Sequence, residues 1–512
     1  MTVSQPTPAP GGFRHFLGTD RAILALLLIL AIAVRFVTFG NPALGFDEQF
    51  YLLVGDRMLQ GELPYVDIFD RKPIGIFLIY AGARLLGGEG FLQYKLVALV
   101  FVVATSWLIY LLGRRRAGPW GAGLAAALYI LWLNFMEGEG GQTPVFYNLL
   151  VVGAMALLFG ALRARERLWL NGCAAMLLLG AAIQIKYTVV FEGAFFGCAF
   201  LWLAWKQQMP WRRIPLFAVA MVAVALVPTL LALLYYWSVG HAEEFIFCNF
   251  VSIFGQGKGA PLAQVSKLFE VSAILLPFGI IAFFGRRAIR ADLKTQEAKL
   301  LRLWLVAAAF GVIIYWRFNS PHYAIPLLPP LCLLLASALD AKRRLGIGFA
   351  LVALVAGQAV QLHLIAIKGG NDAMRAVAAA AKPNKGCIFV YNGYPGLYMM
   401  TGSCMPSRWS FPGHVNAQDE NNAWALGVDP LQETKAILDR RPDAIVETFP
   451  AFGGGNRPTR ALLHRVLKAH YTPVLCVLNA RNRTRVVYRR KEEAWPRRIE
   501  QCPPEVFRDI TE

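Results

Sequence analysis

The sequence has few charged residues. Asp, Glu, Lys and Arg make up 16% of its 512 residues, against about a quarter of a typical soluble domain. Together with 56% apolar residues, this excludes a disordered chain, a coiled coil and an ordinary cytosolic enzyme. The formal net charge is +19, but the basic residues lie sparsely between long apolar runs. We therefore expect no nucleic-acid partner.

Signatures of several other protein classes are also missing from the sequence. No Cys/His spacing resembles a zinc site, no internal repeat has a fixed period, and no Lys-Ser/Thr pair follows Gly453–Gly455 to form a phosphate-binding loop. The Pro-rich start, Met1–Gly12, has neither a basic region nor a cleavage site. We interpret residues 1–21 as a cytoplasmic tail and expect the first apolar run to be retained.

Eleven apolar stretches approach the roughly 20 residues that a membrane span needs. The shorter stretch Pro73–Gly87 carries Arg84, and we interpret it as a helix along the membrane surface, with a twelfth span as the alternative. The eleven predicted spans are Ala22–Phe39, Phe91–Leu112, Gly118–Asn134, Pro144–Leu162, Leu168–Ile185, Tyr187–Trp205, Ile214–Trp237, Glu270–Gly285, Leu303–Trp316, Pro321–Leu339 and Leu345–Ile367.

The basic residues indicate how these spans are oriented. Basic clusters follow alternate spans, and the connections between them are poor in Lys and Arg. By the positive-inside rule the clusters and the N-terminus are cytoplasmic, so eleven spans place the C-terminus outside. A twelfth span at Pro73–Gly87 would invert every later loop and break this alternation.

From residue 368 onward the apolar runs become strand-sized and alternate with helical patterns. The strand-sized runs are Cys387–Tyr391, Ala444–Val446 and Thr472–Val477, the helical patterns include Asp372–Ala381 and Arg460–His470, and the tail Arg481–Glu512 is rich in charge. The sequence therefore predicts a polytopic α-helical membrane protein with an extracytoplasmic α/β domain at residues 368–512.

Four of the eight cysteines lie in this outer domain, where the compartment permits disulfides. Proximity in the sequence favours pairing Cys387 with Cys404 and Cys476 with Cys502. Four cysteines nevertheless allow three connectivities, which stay open here.

The first outer loop, residues 40–90, is the most polar stretch outside the C-terminal domain. Asp47 and Glu48 lie just beyond a span, and Lys72 precedes an apolar helix. A carboxylate at such a place can accept the proton of a hydroxyl nucleophile, and a lysine can neutralise a phosphate leaving group. The alternative is that both acids only stabilise a helix N-terminus.

The order of these residues resembles a known family. One N-terminal span, then Asp47-Glu48, Pro64-Tyr65-x-Asp67 and Lys72-Pro73, is similar to bacterial GT-C glycosyltransferases related to protein O-mannosyltransferases and to the lipid A aminoarabinose transferase. The resemblance implies a GT-C membrane domain at residues 22–367. It also implies a polyprenyl-phosphate sugar donor used at the outer face of the bacterial cytoplasmic (inner) membrane, with the C-terminal domain periplasmic.

The resemblance also assigns roles to residues. It implies that Asp47 is the general base, that Glu48 orients the acceptor or supplies a second carboxylate, and that Lys72 lies at the donor phosphate. The segment with Arg317, His322 and Tyr323 resembles the family's phosphate-binding turn. We therefore expect the donor phosphate to be bound by Lys72, Arg317, His322 and Tyr323. A helix-start residue bonded to backbone is the alternative for His322.

Further residues are expected to support the site. Arg35 pairs with Asp47 or Glu48, or extends to the membrane interface. Tyr65 and Asp67 shape the pocket, with an interfacial anchor as the alternative for Tyr65. Lys186 reaches the phosphate or extends to the interface, and we favour the interface.

The sequence departs from the family pattern at one position and resembles some relatives in a further segment. Many relatives carry an acid at the start of the fourth span, where this sequence has Pro144, so Glu137 or Glu139 substitutes or the acid is missing. In the outer domain, Tyr391–Tyr398 and Ser407–Trp409 resemble a pattern in some relatives that either contacts the acceptor or only covers the pocket.

The resulting prediction is an inverting glycosyltransferase that moves a sugar from polyprenyl phosphate to a hydroxyl of a glycolipid, polysaccharide or protein. No cofactor is required by the residues, although Asp47 and Glu48 do not exclude a divalent metal. A transporter or flippase of lipid-linked sugars is the alternative, and it would place polar residues near the bilayer midplane.

Overall fold

The computed structural model describes residues 12–257, 261–315, 320–450, 454–479 and 483–496, with 499, 502–504 and 506. Arg317 lies outside this part of the chain. Helices fill the region up to residue 381, and a small sheet with short helices follows. The helices of the first region are α1 Gly12–Arg35, α2 Phe46–Leu59, α3 Ile74–Arg84, α4 Phe91–Gly113, α5 Pro119–Trp132, α6 Thr143–Arg163, α7 Leu168–Ile183, α8 Val189–Lys206, α9 Arg213–Ser238, α10 Ala242–Ile246, α11 Pro261–Phe284, α12 Arg286–Asp292, α13 Gln296–Tyr315, α14 Leu328–Ala341, α15 Arg343–Lys368 and α16 Gly370–Ala381.

Each of the eleven predicted spans coincides with a helix: α1, α4 to α9, α11 and α13 to α15. In the described chain, nine helical segments are long and apolar enough to cross a membrane. They are Asp20–Thr38, Phe91–Gly113, Thr143–Arg163, Arg165–Ile183, Val189–Lys206, Arg213–Ser238, Gln264–Phe284, Pro321–Ala341 and Arg343–Ala381. The prediction of a polytopic helical membrane fold is therefore confirmed.

The predicted surface helix forms α3, which has 11 residues. At 1.5 Å per residue it is about 16 Å long, roughly half of the hydrocarbon core of a bilayer. It is too short to be a twelfth span. Its position along the membrane surface stays a prediction.

The outward face of the bundle is apolar. In α9 the buried side chains are Phe217, Met221 and Tyr236, whereas large apolar side chains such as Val219 and Leu231 are more than 60% exposed. Exposed apolar area of this extent is typical of a surface covered by lipid rather than water.

The C-terminal domain is a four-stranded sheet with the strand order β1-β2-β4-β3. Its strands are β1 Ile388–Val390, β2 Ala444–Phe449, β3 Tyr471–Asn479 and β4 Arg483–Arg490, and its helices are α17 Leu397–Thr401, α18 Pro412–Asn416, α19 Ala423–Leu426, α20 Pro430–Asp439 and α21 Arg457–His470. β1 and β2 are parallel, and β4 is antiparallel to both β2 and β3. The disulfides Cys387–Cys404 and Cys476–Cys502 form as proximity suggested.

One strand was missed in the sequence. The predicted charged tail contains β4, which lies between β2 and β3 and is buried along most of its length. Its arginines do not keep it at the surface, because Arg485 stacks on Tyr394 and Arg489 stacks on Trp495, 3.9 and 3.5 Å from the ring centroids. The long aliphatic part of arginine can be buried in this way.

Candidate active site

Asp47 and Glu48 lie in the first turn of α2 and face different surroundings. The helix begins here because Gly45 adopts a φ of 77°, which favours glycine, and because acidic side chains stabilise a helix N-terminus. Glu48 folds back over Gly45, where an added Cβ atom would lie 1.5 Å from Glu48 Oε2. Asp47 is half-buried and lines a cavity.

This cavity has a volume of about 240 Å³. It lies among the first outer loop, the turn between α7 and α8, and the C-terminal domain. Its charged or titratable side chains are Asp47, Asp70, Arg71, Lys72, Lys186, His414, Asp419 and Glu420, and its aromatic ones are Phe50, Tyr51, Tyr187, Tyr323 and Phe411. Polar groups converging in one concavity are the usual form of a ligand site.

Lys72 is held in the cavity by its own loop. The buried Tyr65 adopts a φ of 70°, and its hydroxyl donates to the Lys72 carbonyl over 2.7 Å. Asp70 Oδ1 accepts from the backbone N–H groups of Arg71 and Lys72, at 2.5 and 3.2 Å. Lys72 Nζ lies 5.8 Å from the ring centroid of Tyr51. The loop therefore fixes the lysine before any ligand binds.

These contacts revise the predictions for the loop. Tyr65 positions Lys72 from a fully buried place, so the interfacial anchor is excluded. Asp67 is exposed, and its Oδ2 accepts from the Leu63 backbone N–H over 2.7 Å, so it shapes the turn and does not line the cavity. Asp70 lines the cavity instead, and only its place beside Lys72 could have indicated this.

Lys186 faces the cavity and does not extend to the interface, so the interpretation favoured from the sequence is wrong. The side chain is 8% exposed, and its Nζ lies 4.1 Å from the ring centroid of Tyr323. Burial, reinforced by the charge of Lys72 and opposed by that of Asp47, lowers the pKa of Lys186 to about 7. A bound anion between the two lysines would relieve their repulsion.

Glu48 belongs to a second group, which we call the inner cluster and define as Arg35, Glu48, Lys95 and Glu139. All four side chains are buried and interact electrostatically. Burial, reinforced by Glu139, raises the pKa of Glu48 to about 8. A carboxyl group that is protonated at neutral pH is a poor base, and the structure does not bring Glu48 into the cavity of Asp47.

Arg35 lies near Glu48, one of the two acids predicted to pair with it, and not at the membrane interface. It is fully buried, so it does not extend to the interface, and its Nη2 donates to the Gly140 carbonyl over 2.6 Å. The nearby acids are Glu139 and Glu48 rather than Asp47. Glu139 lies in the inner cluster as well, so it does not supply to the cavity the acid that is missing at Pro144.

Of the predicted phosphate-binding turn, Tyr323 lines the cavity and His322 does not. Tyr323 lines the cavity, as expected. His322 does not, because its Nδ1 lies 3.5 Å from Glu137 Oε2, an oxygen that also accepts from the Ser320 hydroxyl. The His322 ring stacks on Tyr323, with centroids 4.4 Å apart, so the histidine supports Tyr323 from behind. Arg317 lies outside the described residues.

The C-terminal domain forms one wall of the cavity, through residues 411–420. His414 lies among the rings of Phe50, Phe69 and Phe411. Burial, reinforced by the charges of Arg71 and Lys72, lowers the pKa of His414 well below its ordinary value. A neutral imidazole can donate one hydrogen bond and accept another.

Arg71 and Arg408 join this wall to the first outer loop. Arg71 donates to Glu420 Oε1 over 2.9 Å and to the Ser252 hydroxyl over 2.7 Å. Arg408 donates to the Tyr65 carbonyl over 2.6 Å. The predicted segment Ser407–Trp409 therefore contacts the first outer loop but does not line the cavity. The wall residues 411–420 were missed, because they lie 339 or more positions from Lys72 and follow no motif.

The residues of the cavity do not form an evident metal site. Within the described ranges, no group of three or more His, Cys, Asp and Glu side chains is placed to hold a metal ion. The cavity also contains Arg71, Lys72 and Lys186, and such cations can bind an anion directly.

Comparisons with known proteins agree with this architecture. The family model described as dolichyl-phosphate-mannose-protein mannosyltransferase matches residues 70–235. The structure of ArnT from Cupriavidus metallidurans bound to undecaprenyl phosphate matches with 17% identity and a TM-score of 0.61, covering 90% of this chain and 97% of that chain. The apo structure of ArnT matches with 14% identity and a TM-score of 0.62, covering 92% and 98%. No curated protein matches the chain by sequence.

At these identities the structural likeness shows the fold. The chain has the ArnT-like GT-C membrane fold, with the small sheet of its C-terminal domain after the bundle. The predicted resemblance to GT-C glycosyltransferases is therefore confirmed at the level of the fold.

Proposed function

We propose that this protein is a membrane glycosyltransferase that moves a sugar from a polyprenyl-phosphate donor to an acceptor hydroxyl at the outer face of the bacterial cytoplasmic membrane. One observation carries the proposal: the half-buried Asp47 shares a single cavity with Lys72, Lys186 and Tyr323. A base and a pair of cations within one small cavity suit the transfer of a group from a phosphate to a hydroxyl.

The comparisons support the donor class. ArnT, whose fold this chain shares, was solved with undecaprenyl phosphate, and the matching family is described by a dolichyl-phosphate sugar. Both are polyprenyl phosphates. The donor phosphate would bind between Lys72 and Lys186, with the Tyr323 hydroxyl as a further donor, because an ammonium group has only hydrogen-bond donors and a phenol hydroxyl can donate one bond to an anion.

The reaction is a single displacement that inverts the anomeric carbon. Asp47 takes the proton of the acceptor hydroxyl as its oxygen attacks that carbon, and the bond between the carbon and the phosphate oxygen breaks. The electron pair of that bond leaves with the polyprenyl phosphate, whose charge Lys72 and Lys186 stabilise. Neutral His414, on the opposite wall, can bind a sugar hydroxyl. No step requires a metal ion, so we expect initial rates to be unchanged by EDTA.

The position of the buried charges favours an enzyme over a transporter. Arg35 ends α1 and Lys95 is the fifth residue of α4, while Lys186 lies three residues before the start of α8. These groups all lie at one end of the bundle, whereas a transporter carries its polar site near the bilayer midplane.

The test uses purified full-length protein, polyprenyl-phosphate sugars labelled in the sugar, and candidate lipid, polysaccharide and protein acceptors. We expect Asp47→Asn to lower the transfer rate by about a hundredfold to ten-thousandfold, the usual contribution of a general base. Glu243→Gln, which removes one exposed charge from α10, serves as the matched control. Undiminished transfer by Asp47→Asn would reject Asp47 as the base. Failure of the wild type to consume any donor would reject the enzyme itself.

A further inference from the structure

A second cavity lies at the other end of α8. It has a volume of about 470 Å³ and is formed by α8 and α13. The residues that line it are Phe195, Cys198, Ala199, Trp202 and Lys206 from α8, and Gln296, Lys299, Leu300 and Leu303 from α13. None of these residues lines the cavity of Asp47.

Lys186 at the first cavity and Lys206 at the second lie at opposite ends of α8. Lys186 precedes α8 at the outer cavity, and Lys206 is its last residue. The 18 residues of α8 span about 27 Å at 1.5 Å each, close to the roughly 30 Å hydrocarbon core of a bilayer. The second cavity, which we call the inner-leaflet cleft, therefore lies at the opposite interface, on the side of the basic loops.

The inner-leaflet cleft combines an apolar floor with a basic mouth. Leu303 and Trp202 are 56% and 39% exposed beside it, and Cys198 is exposed as well. Lys206 and Lys299 are both exposed, and among the described residues no carboxylate lies within 4.0 Å of either lysine. Lys206 Nζ lies 5.0 Å from the ring centroid of Trp202, so its stem follows the indole.

We propose that the inner-leaflet cleft binds an anionic phospholipid of the cytoplasmic leaflet. One acyl chain lies between α8 and α13, and the phosphate lies between Lys206 and Lys299. Basic pockets between helices on this side of a membrane are suited to anionic head groups. A zwitterionic lipid carries an ammonium group of its own, which the two lysines repel. The proposal does not depend on the reaction at the outer cavity.

Cys198 provides a direct readout. The other unpaired cysteines of the described chain, Cys173, Cys248 and Cys332, are partly or fully buried, so Cys198 should react fastest with N-ethylmaleimide in detergent micelles. We expect phosphatidylglycerol to slow the alkylation of Cys198, measured by peptide mass spectrometry, at concentrations where phosphatidylethanolamine does not. Native mass spectrometry of the same samples should show one additional bound phosphatidylglycerol.

The lysines are tested as a pair. In Lys206→Ala/Lys299→Ala we expect phosphatidylglycerol to bind about tenfold or more weakly, from the attraction of a basic residue near an anionic head group. Lys294→Ala/Lys342→Ala removes the same charge from exposed positions on the same side and should bind as the wild type does. Equal melting temperatures of the two variants show that both are folded.

Three results would overturn the proposal. Equal protection by phosphatidylethanolamine would show that charge does not select the lipid. Equal loss of binding in the two double variants would show that the cleft is not the site. Protection of Cys198 by sn-glycerol 3-phosphate, which has no acyl chains, would show that the cleft takes a phosphate and not a lipid.

Discussion

Asp47 and Glu48 are adjacent in the sequence, but they lie in two different polar regions. Asp47 lines the outer cavity with lysines that a ligand can reach, and Glu48 is enclosed in the inner cluster with Arg35 and Glu139. The outer cavity is arranged to bind a charged ligand, whereas the charged groups of the inner cluster interact with one another, with the backbone and with the Tyr94 hydroxyl. The comparison teaches that neighbouring acids in one motif can serve chemistry and structure separately.

Neutralising each acid in turn is the most direct test of the difference between the outer cavity and the inner cluster. Asp47→Asn should lose at least a hundredfold in transfer rate, because the base is gone. Glu48→Gln should stay within about threefold, because Glu48 is already protonated at neutral pH and an amide replaces it at similar volume. Rates with a polyprenyl-phosphate sugar check both variants. A loss in Glu48→Gln as large as that in Asp47→Asn would show that the inner cluster takes part in the reaction.

A change in the inner cluster should instead act on stability. Arg35→Leu leaves the buried acids Glu48 and Glu139 with Lys95 as the remaining cation of the cluster, and we expect the free energy of unfolding to fall by about 3 to 5 kcal/mol. Lys72→Leu, in the outer cavity, should lower the transfer rate and leave stability almost unchanged. Thermal unfolding in detergent measures both. If Lys72→Leu is as destabilising as Arg35→Leu, the two regions do not differ in this respect.

Much of the fold could be predicted from the sequence, but the direction in which individual side chains point could not. Span hydropathy located all nine helical segments of the described chain that are long and apolar enough to cross a membrane, because an apolar run of that length has few other structures. The motif located Asp47, Lys72 and Tyr323. The motif did not show that Glu48 turns away from Asp47. That orientation depends on Gly45 and Gly140, because the Glu48 carboxylate packs directly against both glycines. A Cβ atom on Gly140 would lie 2.4 Å from Glu48 Oε1.

The parts that the sequence did not predict depend on contacts between distant residues. Lys186 was expected at the interface because a lysine at the end of a span usually extends there. It is buried because Tyr323 and the cavity receive it. The wall that contains His414 belongs to another domain, and no local pattern indicates which face of a small sheet packs on a membrane bundle.

His414 allows a smaller test of that wall. His414→Ala should weaken substrate binding about tenfold, because the substitution removes the hydrogen bond that the neutral His414 imidazole forms with a sugar hydroxyl. His464→Ala is the control in the same domain, since His464 bonds Glu447 and does not line the cavity. The effect should be on KM more than on kcat. An unchanged KM would mean that the C-terminal domain only covers the pocket.

The smallest expected effect is a dependence of donor binding on pH. Because the pKa of Lys186 is lowered to about 7, its ammonium form is present below that pH and is lost above it, whereas the phosphodiester of the donor stays anionic throughout. The KM for the donor should therefore rise severalfold between pH 6 and pH 8, with little change in kcat, because bound phosphate restores the charge of Lys186. Lys186→Arg keeps its charge over this range and should flatten the rise. Initial rates must be measured, before product accumulates, since the product phosphate has a second pKa of about 6 and changes its own charge over this pH range. A rise that persists in Lys186→Arg would assign the titration to another group in the cavity and leave Lys72 as the cation that holds the donor.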